Sequence, residues 1–288
     1  MSDIQNIQWF PGHMTKTKRQ ITASLKLVDA VAEIIDARIP VSSRNPDLAS
    51  LIQGKPKIIL MNKCDMADPN ATARWIEYYK SRSITALPID CKSKKGLNRF
   101  IPAVKNVLSD KIRSWQEKGM KNRSVRVMVV GIPNVGKSSF INCMSGQNRA
   151  KTEDRPGVTR GNQWFTIAKG FELLDTPGVL WPKFDDKTVG ERLAFTGAIK
   201  DQIMDTEQLA CRLLEYLNTL GKKEFYERFK LDSSELEGLD GYDMLGVIGK
   251  KRGMLVSGGN PDMQRAATTV LDEFRAAKLG RITIELPR

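Results

Sequence analysis

Short apolar runs alternate with amphipathic stretches along the first two-thirds of the chain, and only helical spacing persists afterwards. Residues 30–35 form an apolar run that reads as a buried strand ending at polar Asp36-Ala37-Arg38. Similar runs at 58–61, 84–89 and 125–130 predict three more strands, and residues 163–168 and 171–175 a strand pair around Lys169-Gly170. Between them, residues 14–28 place Ile21, Leu25 and Val28 on one helical face. Asp68-Pro69 supplies the cap and first residue of a helix that reaches Tyr79. Residues 96–107 predict a further helix, and another begins at Lys137. The later part of the charged stretch 110–124, with Gly119 and Asn122, reads as a connector. Strands alternating with helices predict an α/β domain, doubly wound around a mostly parallel sheet.

Beyond about residue 182 the pattern changes. Leu209, Leu213, Leu214 and Leu217 recur at helical spacing, and Asn260-Pro261 opens a second helix carrying Met263, Ala267, Val270, Leu271 and Phe274 inward, stopped near Gly280. The expected organisation is an α/β domain over residues 1–182, with an N-terminal helical extension, and a small all-helical domain over 183–288.

Charge adds a partner to this picture. The 288-residue chain carries a net charge of +13. Residues 200–288 hold 14 Lys+Arg and 15 Asp+Glu, which leaves 32 basic and 18 acidic residues in positions 1–199. The excess belongs to the α/β part and favours a polyanion such as nucleic acid or an acidic membrane surface. Four scattered cysteines (Cys64, Cys91, Cys143, Cys211) lack metal-ligand spacing and fit a reducing compartment. With no apolar run long enough to span a membrane and no secretory signal pattern, the expectation is a cytoplasmic chain.

Three strings carry candidate chemistry. Gly131-Ile132-Pro133-Asn134-Val135-Gly136-Lys137-Ser138 has the glycine, lysine and serine spacing of a phosphate-binding loop, between a predicted strand and a predicted helix. Its backbone amides, from Asn134 to Ser139, can close around phosphate oxygens. Lys137 should reach the β and γ phosphates, and the Ser138 hydroxyl a magnesium ion. Asp175-Thr176-Pro177-Gly178 ends the strand pair, so Asp175 can hold magnesium through water and the Gly178 amide can bond the γ phosphate. Thr159 is the candidate switch threonine closing on the same ion, an ordinary loop threonine being the alternative. Asn62-Lys63-Cys64-Asp65 offers guanine recognition: the Asp65 carboxylate accepts from guanine N1 and N2, where adenine has no matching donors. Asp90-Cys91-Lys92 follows the next strand and can bring backbone amides to guanine O6.

The guanine loop precedes the phosphate loop, the reverse of the ordinary GTPase order. With Trp9-Phe10-Pro11-Gly12-His13-Met14, Asp36-Ala37-Arg38-Ile39-Pro40 and Asp175-Thr176-Pro177-Gly178-Val179-Leu180-Trp181-Pro182, the chain resembles the circularly permuted ribosome biogenesis GTPase A (RbgA/YlqF) family over essentially its whole length. The resemblance implies a GTPase acting late in maturation of the large (50S) ribosomal subunit, binding it in the GTP state and leaving after hydrolysis. It also implies rRNA contact through the helical tail, where Lys250-Lys251-Arg252 is a local basic cluster. Zinc-binding and oligonucleotide-barrel modules of permuted small-subunit relatives have no counterpart here. A monomer with GTP/GDP, the large subunit and its rRNA as partners, and with Mg2+ as cofactor, is expected.

Val179 stands where many GTPases carry the glutamine that orients water, and an aliphatic side chain cannot do so. His13, the one histidine, can accept a hydrogen bond from water near neutral pH, and in the resembled family the matching histidine is implicated in catalysis. Asn134 matches an asparagine that helps hold K+ in related potassium-stimulated GTPases. Two other readings stay open: a nucleotide-gated binding or signalling switch with negligible hydrolysis, and an ATP-driven RNA remodelling enzyme, which Asp65 argues against.

Overall fold

A computed structural model describes residues 19–120, 123–146, 163–176, 178, 186–199 and 205–287. The described residues fall into two compact units. One holds those between 19 and 178 together with 283–287; the other holds 186–199 and 205–282.

In the first unit, strands β1 (Ala30–Asp36), β2 (Lys57–Asn62), β3 (Thr85–Pro88), β4 (Val125–Val130), β5 (Gln163–Ala168) and β6 (Phe171–Asp175) form one sheet ordered β3-β2-β1-β4-β6-β5. Every neighbouring pair is parallel except β5 with β6. All seven residues of β1 are buried, as a central parallel strand covered on both faces requires. From β1 the chain steps outward to β2 and β3, then returns to lay β4 along the free side of β1. That reversal opens a crevice at the carboxyl ends of β1 and β4, where doubly wound sheets bind ligands.

Two apolar clusters hold the sheet. Ile21, Leu25 and Val28 pack with Val31, Leu48, Ile52, Met128, Val130 and Leu174. Ile35, Ile59 and Met61 pack against Trp75 and Tyr79 of the helix Pro69–Lys80. Asp68 caps that helix as its sequence predicts, accepting from Asn70 and Ala71 amides with Pro69 following.

Several boundaries differ from expectation. The first helix ends at residue 25, and Val28 packs from the turn beyond it. A short helix, Pro46–Leu51, was not foreseen although Asn45-Pro46 signals it; the Asn45 side chain accepts from the Asp47 and Leu48 amides. Ser109–Glu117 is helical despite its charge, because Trp115 turns inward and is buried. In the second unit the final helix is Met263–Arg275, capped by Asp262 rather than Asn260. The Asp262 carboxylate takes the Arg265 amide, while Pro261 stays in a bridge with Leu255.

The second unit is all helical among its described residues, with Lys187–Phe195, Thr206–Leu220, Lys223–Phe229, Gly241–Lys251 and Met263–Arg275. Leu213, Leu217, Leu245, Ile248, Val270 and Leu271 form its interior. The basic cluster there is largely spoken for. Lys251 pairs with Glu235 at 2.7 Å and Arg252 with the buried Glu273 at 3.4 Å, a carboxylate that Arg228 shares.

Residues 283–287, which the pattern assigns to the helical tail, pack instead on the α/β unit. The Ile284 amide donates to Arg38 O at 2.7 Å, and the Trp75 indole N–H donates to Glu285 O at 2.7 Å. The Asp68 amide donates to Thr283 Oγ1 at 3.0 Å. The buried Glu285 carboxylate accepts from the Val41 and Ser42 amides and from the Ser42 hydroxyl. Short polar spacing hides this strap from periodicity, which sees only side-chain alternation. Glu285→Ala strips an acceptor from two amides and a hydroxyl and should cost about 2 kcal/mol. Urea unfolding followed by tryptophan fluorescence reads it; an unchanged midpoint would show that the strap holds little.

Candidate functional site

The candidate loops all follow carboxyl ends of parallel strands at one end of the sheet, β2 and β4 flanking β1 and β6 lying beside β4, so the sheet itself gathers them. Gly131 to Gly136 leave β4 and lead into the helix Lys137–Ser145; Lys63 to Asp65 leave β2; Asp175 ends β6. Asn62, the last residue of β2, ties three loops together. Its Nδ2 donates to Val135 O at 2.7 Å, and its Oδ1 accepts from the Cys91 amide at 3.3 Å. Segments more than seventy residues apart in sequence thus share one carboxamide.

Lys63 repeats the contact one residue on. Its Nζ donates to Asn134 O at 3.2 Å and pairs with Asp36 Oδ2 at 3.0 Å. Asp36 is also held by Arg38, whose Nε and Nη2 reach its two oxygens at 3.0 and 2.9 Å. Burial alone would raise the Asp36 pKa, but the Arg38 and Lys63 charges hold it well below the usual carboxylate range. This pair at the end of β1 was legible only as part of a family string; its contact with the guanine loop is a finding of the structure.

Backbone conformation agrees with the loop's composition. Gly136 has φ 102°, and a Cβ there would strike the Asn62 carboxamide. The Lys137 Nζ donates to Ile132 O at 2.7 Å, back onto the loop it follows. Burial pushes its pKa down to about 8, with nearby Asp175 opposing the shift. Asp175 is buried, and Thr176 Oγ1 pins this end of β6 to Val129 O of β4 at 2.7 Å. Gly178 lies so close that a Cβ on it would come 2.7 Å from the Lys137 Nζ and 3.1 Å from the Pro133 nitrogen. Its missing side chain lets the Gly178 backbone reach the loop.

The remaining sequence-derived positions divide simply. Ser138 and Ser139 occupy the first turn of the helix behind the loop and are half-buried. Asp65 and Lys92 are exposed beside it, with the Lys92 amide held by Asp90 Oδ1 at 2.8 Å. Burial pushes the Cys91 thiol up to about 12, so it is an inert packing group while its amide serves Asn62. His13 and Thr159 lie outside the described residues, as does Val179.

What this arrangement can do is hold an anion at the amides of a helix start, beside a buried ammonium and an oxygen donor set. Ser138 hydroxyl and Asp175 carboxylate are hard oxygen ligands on facing segments, which fits magnesium. Replacing Asn62 with aspartate would set a carboxylate oxygen against the Val135 carbonyl. The Asn62→Asp variant should bind a fluorescent GDP about a hundredfold more weakly by titration; wild-type affinity would deny Asn62 its bridging role.

Comparison with known proteins agrees with this geometry. A family model described as a 50S ribosome-binding GTPase matches residues 126–226. That match begins at β4, as it must where the guanine loop lies upstream. Ribosome biogenesis GTPase A of Priestia megaterium is 46% identical over 98% of this chain and 97% of its own length. The protein of that name from Bacillus cereus is 44% identical over 98% and 94%. A crystal structure of GNP-bound YlqF from T. maritima superposes with a TM-score of 0.66 at 28% identity, covering 95% of this chain and 99% of that one. Such identity along nearly the full length places the chain in the ribosome biogenesis GTPase A family.

Proposed function

We propose that this chain is a GTP-hydrolysing assembly factor for the large ribosomal subunit, binding it late in maturation in the GTP state and leaving after hydrolysis. The observation that carries the reading is the Asn62–Val135 hydrogen bond, which sets a guanine-selective loop beside a phosphate-binding one. Relatives named for ribosome biogenesis supply the partner. The chain works as a cytoplasmic monomer, with GTP and GDP, the large subunit and its rRNA as partners.

Asp65 selects guanine, with the Lys63 stem along the base and the amides of Cys91 and Lys92 near O6. Amides from Asn134 to Ser139 hold the phosphates, Lys137 turns from Ile132 O to the β and γ oxygens, and the Gly178 amide senses the γ phosphate. Ser138 and Asp175, with Thr159 closing over them, would hold a magnesium ion that neutralises developing charge on the phosphates. Asn134 contributes to a potassium site. Because Val179 cannot orient water, His13 takes that part, its neutral imidazole accepting a hydrogen bond from a water in line with the γ phosphate.

The test is cosedimentation with separated large and small subunits under a GTP analogue and under GDP. Large-subunit binding with the analogue alone is expected; equal binding to both subunits, or to neither, defeats the proposal. Single-turnover hydrolysis with large subunits separates an enzyme from a nucleotide-gated switch. His13→Ala should slow that hydrolysis about a hundredfold while leaving GDP affinity intact; an unchanged rate removes His13 from the mechanism. Asp65→Ala should abolish the preference for GTP over ATP in a competition titration, with a loss on the order of a hundredfold in GTP affinity.

A further inference from the structure

The amino-terminal ends of the central strands lie opposite the nucleotide loops, about 20 Å away along a six-residue strand, and they carry an unusual arrangement of cations. Arg123 lies 4.2 Å over the Trp115 ring, with Lys111 5.4 Å from the same ring. Arg126 lies 4.9 Å over Trp164, and Lys105 5.6 Å over Phe171. Parallel pairing of β1, β4 and β6 brings Arg123, Arg126, Lys105 and Phe171 to one end of the sheet, whereas Trp164 pairs with Leu174 further along β6 and is reached by the Arg126 side chain across the sheet. The Val125 amide donates to Gly170 O, which puts Lys169 beside them, and Lys55 Nζ donates to Val28 O nearby.

Carboxylates at this end answer only part of that charge. Asp29 is buried and faces both Lys111 at 2.7 Å and Arg123 at 3.4 Å. Glu172 faces Arg126 at 2.9 Å. Asp110, one residue before Lys111, is exposed. Six cations therefore stand against two paired acids. A cation laid on an aromatic face is oriented without being neutralised, and its N–H edge stays turned toward solvent. The Arg123 and Arg126 side chains remain 46% and 48% exposed, so the guanidinium edges not bonded to Asp29 and Glu172 reach solvent. The Trp164 ring is itself 40% exposed on the edge strand β5.

We propose that this end of the α/β unit and the strip of sheet running from it to Trp164 form an RNA-binding surface, in which Lys105, Arg123, Arg126 and Lys169 hold backbone phosphates and Trp164, under the Arg126 guanidinium, stacks an unpaired base. It rests on the ribosomal reading above and relocates the grip from the helical unit, whose Lys251 and Arg252 are engaged by carboxylates. An open indole beside oriented guanidinium groups suits RNA, whose bases offer π faces between phosphates. An acidic lipid surface would use the charge and leave the ring idle.

The experiment uses the full chain, purified large ribosomal subunits, free large-subunit rRNA and phosphatidylglycerol vesicles, across a KCl series. The triple variant Lys105→Gln, Arg126→Gln, Lys169→Gln should bind subunits and rRNA on the order of tenfold more weakly at physiological salt, with a log–log salt slope shallower by about two. Trp164→Ala should weaken rRNA binding about tenfold at an unchanged slope. Fluorescent GDP affinity stays at the wild-type value in both. Wild-type RNA binding and slope in both variants would overturn this surface while leaving the ribosomal function standing. Wild-type protein that binds neither subunits nor rRNA would overturn both. Vesicle binding lost in the triple variant with RNA binding retained would overturn it in favour of a lipid. Should the triple variant misfold, acetylation of Lys105 and Lys169 in the wild type decides: protection by bound subunits is expected, and equal reactivity bound and free overturns the surface.

Discussion

One carboxamide organises the catalytic end of this molecule. Asn62 both donates and accepts, so it can join the phosphate loop at Val135 and the third loop at Cys91 while belonging to the guanine loop itself. Neither aspartate nor leucine, similar in size, could do this; the first lacks the donor and the second both functions. Because Asn62 ends a buried strand paired on both sides, packing of the sheet fixes its position. The three loops are therefore held to one another through a single side chain anchored in the sheet.

The same bond explains why cutting and rejoining the chain costs the site nothing. A parallel sheet is defined by which strands are neighbours, and the site by which strand ends are adjacent. Neither depends on where the chain begins. β1 stands between β2 and β4 here, so the guanine and phosphate loops flank the Asp36–Arg38 turn whatever their order in sequence. The rearrangement is borne by the connection between β3 and β4, where Phe100–Val107 and Ser109–Glu117 carry the chain back across the sheet.

Most of the α/β architecture was legible in the sequence because buried parallel strands leave nearly continuous apolar runs, such as residues 30–35 and 125–130, each broken by a single charge. The candidate phosphate and guanine loops stood out because each demands particular residues at fixed spacing. Other features were hidden for physical reasons. The helix Ser109–Glu117 buries chiefly one residue, Trp115, so its stripe is too narrow to read against the surrounding charge. The strap at 283–287 is fixed by backbone hydrogen bonds and one carboxylate, and periodicity carries no information about either. The cap of the last helix moved from Asn260 to Asp262 because Pro261 was engaged elsewhere, a tertiary fact.

Asp36 and Arg38 connect these themes. A buried ion pair is seldom a strong source of stability, since desolvation offsets most of the attraction. Its value here is geometric. Arg38 grips both oxygens of Asp36, which fixes the remaining acceptor direction toward Lys63, and Lys63 in turn reaches Asn134 in the phosphate loop. The turn that carries the pair is itself pinned from behind, by the Ile284 amide on Arg38 O and by Glu285 on Val41 and Ser42. The carboxyl-terminal residues of the chain thus support the lysine of the guanine loop through two layers of hydrogen bonds. Losing the outer layer would leave the inner contacts possible but no longer fixed in direction. The base-recognition loop would then depend on its ligand for its shape.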